Sequence, residues 1–143
     1  MSRVSRLRSR ASSDERGVAV VEFAIVLPLL ILLVFGIVQF SIAYNRQQGL
    51  HAAAREGARV AALPQTTSSA IDTRVRSALS GVLSPAEITA ATVTITPSGS
   101  QPCNTAPQGT HVVVTVSVPN QLEIPLFTKQ PLTLTGKGEF LCE

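Results

Sequence analysis

A chain of 143 residues that is 45% hydrophobic and 15% charged suits one domain of modest size. Its 4% aromatic content leaves too little ring surface for a platform that stacks on nucleic acid or sugar. The formal charge of +3 belongs to residues 1–17, where Arg3, Arg6, Arg8, Arg10 and Arg16 outnumber Asp14 and Glu15; from residue 18 onward basic and acidic side chains cancel. The basic balance therefore marks a leader and gives no reason to expect a nucleic-acid partner.

Residues 1–17 read as a basic cytoplasmic leader, and 18–44 as a transmembrane helix. From Phe23 to Tyr44, 22 positions carry no charge, and about 20 apolar residues at 1.5 Å each cross a hydrocarbon core. Arginines just before the span hold that end in the cytoplasm, which predicts a single pass with the C-terminal part outside. A buried helix of a soluble protein is the alternative, and the length disfavours it. A cleaved secretory signal fits poorly, because its apolar region runs about 7–15 residues and ends at small residues. Here the run continues past Gly36, and Ala52-Ala53-Ala54 lies too far downstream.

Residues 45–63 read as a helical stalk, since nothing between Arg46 and Leu63 breaks a helix and Pro64 supplies a stop. Pro28, inside the span, lacks an amide donor and is expected to kink the helix. Gly49, Ala53, Gly57 and Ala61 recur every four residues and share one face, where small side chains let another helix approach closely. Alanine's helix propensity explains any one of these positions, but not the two glycines. Arg55, Glu56 and Arg59 flank the stripe, as partner-orienting charges or as a solvated face.

Residues 64–143 read as a small extracytoplasmic α+β head. Ile71, Val75, Ala78, Leu79 and Val82 give Ala70–Val82 a helical period. Thr92–Thr96 alternates as a strand, and His111–Val118 places Val112, Val114, Val116 and Val118 on one face. A third strand runs from Leu132 towards Cys142, with a bulge or bend expected at Gly136 and Gly138. Asn120–Pro131 reads as a connecting loop or short edge. The head should thus be one helix on an antiparallel sheet of three or four strands with one covered face. Cys103 and Cys142 are the only cysteines. Outside the cytoplasm they suggest a single disulfide; two separate thiols are the alternative. No metal-ligand spacing, phosphate loop or nucleophile motif is present around His51, His111 or the cysteines, so the sequence gives no sign of an enzyme, a metal or a cofactor.

One residue breaks the pattern of the span. Glu22 is the fifth residue after Gly17, near the start of the apolar run, and Phe23 follows it. This layout resembles the site cut by prepilin peptidases, which cleave after a glycine on the cytoplasmic side; on that resemblance the mature chain begins at Val18. The stretch VVEFAIVLPLLILLVFGIVQFSIAYNRQQGLHAAAREGARVAA, Val20 to Ala62, is similar to the N-terminal signature of the TadE-like family, minor pilin-like proteins of tight-adherence (Tad/Flp) pilus systems. The resembling residues include Glu22-Phe23, Leu27-Pro28, Gly36, Tyr44 and the run from Ala54 to Arg59. The resemblance implies a pilin-like fold and a membrane-anchored, non-enzymatic subunit whose partners are a prepilin peptidase, other pilin-like subunits and the pilus assembly machinery. It also implies that Glu22 pairs with the Val18 amine of a neighbouring subunit, an opposite charge that offsets the cost of each in the membrane boundary. Simple snorkelling of Glu22 to the headgroups remains the alternative. At the level of the whole chain, the competing reading is an unprocessed, signal-anchored ligand-binding or sensor domain.

Overall fold

The structure, a computed structural model, describes residues 8–104, 106, 107, 109–122 and 130–142. The element order is α1 (Arg8–Ala61), α2 (Ser68–Leu79), α3 (Pro85–Ala90), β1 (Thr92–Thr96), β2 (His111–Leu122) and β3 (Gln130–Leu141). The chain divides into two units, with the boundary between Val38 and Gln39 and thus within α1.

In the first unit the helix carries its apolar side chains outward; Ile25 is 73% exposed and Phe23 60%. It runs through Pro28 without interruption. A proline supplies no amide to the carbonyl four residues before it, so Ala24 has a carbonyl without that helix bond.

The second unit is α+β, a three-stranded antiparallel sheet in the order β1-β2-β3 with helices on one face. The alternation of β2 determines which face is covered. Val112, Val114 and Val116 are fully buried and Val118 is 3% exposed, and fully burying each such side chain is worth about 1.5–3 kcal/mol. They pack in one cluster with Leu50, Ala53, Ala54, Ala58 and Ala61 of α1 and Ile71, Val75 and Leu79 of α2. The opposite face shows rows of polar side chains across the register, such as Thr92, Ser117 and Thr135, then Thr94, Thr115 and Lys137.

Several local features differ from the sequence reading. The stretch expected as a stalk, 45–63, contributes Leu50 and five alanines to the head core, because its small-residue face is the surface on which the sheet lies. The expected bulge at Gly136 and Gly138 is absent, since β2 and β3 pair without a break from His111↔Leu141 to Leu122↔Gln130. These glycines serve close approach instead. A Cβ on Gly136 would press on the backbone of Leu50, and one on Gly138 on the backbone of Ala54, each under 3.0 Å. Both strands also extend into Asn120–Pro131, the stretch expected as a connecting loop or short edge, with Pro119, just before it, opposite Thr133 and Pro131 opposite Gln121. Proline is tolerated there because β1 pairs only as far as Ser117, so both strands are edges at that end. Residues 123–129 of that expected loop lie outside the described residues.

The helix expected over Ala70–Val82 is α2, set back by two to three residues. Thr67 caps it by accepting the Ala70 amide through its hydroxyl, and Ser80 closes it, while Ala78 is exposed. A further helix, α3, was not expected. Its start is a capping box: the Ser84 hydroxyl accepts the Glu87 amide, the Glu87 carboxylate accepts the Ser84 amide, and Pro85 follows the cap.

Cys103 and Cys142 are joined in a disulfide, with Cα atoms 5.4 Å apart and 39 residues between them in sequence. The Cys142 amide donates to the Thr110 carbonyl at 2.9 Å, so the end of β3 is held to the loop before β2. Closing a loop of that length stabilises by roughly 4 kcal/mol on the chain-entropy account.

Candidate membrane anchor and assembly site

Composition and exposure together are compatible with a single-pass membrane anchor. The stretch of α1 from Gly17 is long and apolar enough to cross a membrane, and none of its most apolar window is buried by the rest of the chain. Exposing so many large side chains to water would be unfavourable at about 25 cal/mol per Å², whereas a bilayer accepts them. Gly17 and Val18 lie within α1, and a Cβ on Gly17 would meet nothing within 4 Å. Glu22 is exposed in the same helix, with Val18 and Val26 one turn away on its face. Phe23 stands beside it, also exposed.

The small-residue stripe has a different fate. Gly49 faces Val82, whose methyl carbons would lie 2.6 and 2.7 Å from an added Cβ. Gly57 faces Val75 of α2 and Val114 of β2, and Ala53 and Ala61 are each 1% exposed in the core. All four positions are therefore filled from within the chain, and the partner helix expected at the stripe finds the space taken by the head. A spacing of four marks a face of small side chains, but spacing alone does not say whose atoms approach it.

Charged groups next to the stripe lock α1 to the head. The Glu56 carboxylate accepts from Arg74 Nη2 at 2.7 Å and Nε at 3.0 Å, and from Arg59 Nη2 at 3.0 Å and Nε at 3.1 Å. These hydrogen bonds, Arg59 first and Arg74 second, hold the Glu56 carboxyl at about 2 instead of 4.5. Glu56 in turn raises the Arg59 guanidinium above its ordinary value. Arg74 lies on α2, so the cluster clamps one helix to the other. A second link joins α1 to α3, where Arg46 Nη1 lies 2.8 Å from Glu87 Oε1. The Ser84 amide and hydroxyl, then Arg46, lower the Glu87 carboxyl below the usual carboxylate range. Arg74, Arg46 and Glu87 were not singled out from the sequence. The signal for Glu87 was available in Ser84-Pro85-x-Glu87; nothing local announces Arg74, which comes to Glu56 only through the fold.

At the edge of the sheet, α1 also satisfies the free backbone of β3. Gln47 Nε2 donates to the Thr135 carbonyl at 2.6 Å, and the Lys137 amide donates to His51 Nδ1 at 3.2 Å. His51 is thus an edge-capping residue, protecting a strand whose outer amides would otherwise be open to pairing.

Apolar span, core-facing alanines and the Glu56–Arg59 pair all fall on α1. Residues 17–59 match the family model described as TadE-like protein. No curated protein and no solved structure matches the chain. The matched segment begins at the Gly17–Val18 junction and ends at Arg59, so it covers the exposed span together with the part of α1 on which the head is built. This TadE-like segment suggests a protein associated with a Tad pilus system.

Proposed function

We propose that the chain is a minor pilin-like subunit of a Tad/Flp-type pilus system: a structural protein, anchored through α1 with its N-terminus in the cytoplasm and its head outside, cut by a prepilin peptidase after Gly17 and acting in pilus biogenesis and adhesion. The observation that carries this reading is Glu22, a carboxylate five residues beyond Gly17 on an otherwise apolar, exposed helix face within the TadE-like segment. An anchor alone has no use for it; a subunit whose neighbour presents a new Val18 amine does. The Cys103–Cys142 disulfide supports the orientation, because such bonds persist in oxidising compartments.

The test is N-terminal sequencing of the mature protein from its native membrane, with a Gly17→Arg variant beside it. The native chain should begin at Val18 and the variant should remain full length. A Cβ added at Gly17 meets nothing within 4 Å, so loss of trimming would report recognition and not misfolding. Normal trimming of the variant, or an untrimmed native chain, rejects the processing site.

A further inference from the structure

β3 and α1 run in the same direction with a regular step. Gly136 lies on Leu50 and Gly138 on Ala54, so two residues of β3 advance with four of α1. Gln47 reaches Thr135, and His51 meets Lys137, in keeping with that step. Continued toward the N-terminus, it brings Leu134 to the level of Arg46 and Leu132 to that of Ile42. The hairpin end of the sheet therefore lies beside the stretch of α1 where the uncharged run gives out.

That stretch has the marks of a membrane surface. Phe40 and Tyr44 stack with ring centroids 6.2 Å apart, both rings exposed, and aromatic residues gather where hydrocarbon meets headgroups. Arg46 is the first charge after the run. A second part of the head reaches the same level independently: Gly81 and Val82, in the turn after α2, line a cavity of about 290 Å³ together with Ile42, Asn45 and Arg46.

The chemistry of the head at this level differs from the rest. Ser80–Pro85, Ser117–Leu122 and Gln130–Thr135 contain no charged residue, whereas His111, Lys137 and Glu139 stand at the other end of the sheet. Arg46 and Glu87, the charges that do occur here among the described residues, are paired with each other. Leu132 is 43% exposed at this end.

We propose that this end of the head, formed by the hairpin end of β2 and β3 and the turn at Ser80–Val82, rests in the headgroup zone of the bilayer that α1 enters. The contact is with neutral lipid, since the described residues of this surface offer hydroxyls and apolar side chains and, among them, no cation other than Arg46 in its pair with Glu87. It is continuous with the Phe40–Arg46 stretch of α1, where the uncharged run gives out. This inference rests on the reading of α1 as a membrane anchor.

The chain contains no tryptophan, so a single introduced indole reports its own surroundings. Leu132→Trp and Thr133→Trp, at the lower end, and Leu141→Trp, an exposed leucine at the upper end of the same strand, are to be made in the full chain and reconstituted into phosphatidylcholine vesicles. Each variant is first checked for its disulfide by mass. In vesicles whose lipid is brominated high on the acyl chain, at least one of the two lower indoles should lose emission and shift to the blue, and the Leu141→Trp indole should remain quenchable by aqueous acrylamide only. Two lower indoles that stay as accessible to acrylamide as the upper one overturn the proposal, as does equal bromolipid quenching at both ends. Extraction of the vesicles with alkaline carbonate separates the two readings. Protein that washes off rejects the anchor and this inference together, whereas protein that stays while both lower indoles remain in water rejects this inference alone.

Discussion

The backbone of β3 at Gly138 passes so close to the carbonyl of Ala54 on α1 that a single added Cβ would lie under 3.0 Å from it. Neither partner is the flexible end of a side chain, so the strain has nowhere to go except into separation of strand and helix. Overpacking ordinarily costs about 1–3 kcal/mol, and Gly138→Ala should lie at the top of that range or above it. Gly81→Ala, where a Cβ meets nothing within 4 Å, should change stability by less than about 0.5 kcal/mol. Thermal unfolding of the two variants in detergent micelles makes the comparison; equal midpoints would mean that strand and helix do not meet at Gly138.

The Glu56 cluster predicts an acid-sensitive clamp between α1 and α2. Its carboxyl lies at about 2 in the folded chain against an ordinary 4.5, so the folded state holds the proton less tightly than the unfolded one. The stabilisation is complete above the ordinary value and disappears as the pH falls from about 4.5 towards about 2. Unfolding midpoints of the native chain should therefore fall faster over that window than those of Glu56→Gln. Parallel curves would show that Glu56 contributes nothing to the acid response.

How much of this was legible before folding varies with how local the cause is. The four valines of β2 announce strand and buried face by themselves, because a period of two has only one structural meaning over that length. The apolar span is equally local. Gly136 and Gly138 are not: a glycine in a strand marks either a bulge or a near backbone, and the choice depends on α1, which lies more than 80 residues earlier in the chain. The stripe at Gly49 and Gly57 is ambiguous for the same reason, since a face made for close packing looks the same whether the head or another subunit fills it. The short α3 had a readable cap but too few turns to show a period. Proline near 119–131 excluded a central strand but left loop and edge open, and the choice depends on β1, which pairs β2 only as far as Ser117.

The disulfide gives a prediction that does not depend on any partner. Protein isolated from its native membrane should weigh two hydrogens less than the sum of its residues, and Cys142→Ser should lower stability by roughly 2–5 kcal/mol. The loss should appear first around the loop before β2, where the Cys142 amide holds Thr110. Hydrogen exchange of the Cys142→Ser variant tests the location: faster exchange confined to the three helices, with the end of β3 unchanged, would contradict it.

Glu22 and Gly57 separate assembly from folding, because the structure places them in opposite situations. Glu22 stands on an exposed helix face and is not among the residues of the head core, so Glu22→Val should leave head unfolding unchanged and make the span more apolar. If its role is to meet the Val18 amine of a neighbour, the variant should still be trimmed to Val18, still insert, and fail to co-purify with pilus partners. Gly57 faces Val75 and Val114 inside the head, so Gly57→Leu should destabilise the fold by about 3 kcal/mol and lose partners only as a consequence of that. Unfolding midpoint, N-terminal sequence and partner recovery, measured together on both variants, decide the matter. Retention of partners and piliation by Glu22→Val would leave the carboxylate as a snorkelling side chain. Loss of partners by Gly57→Leu with an unchanged midpoint would return the stripe to an intermolecular role.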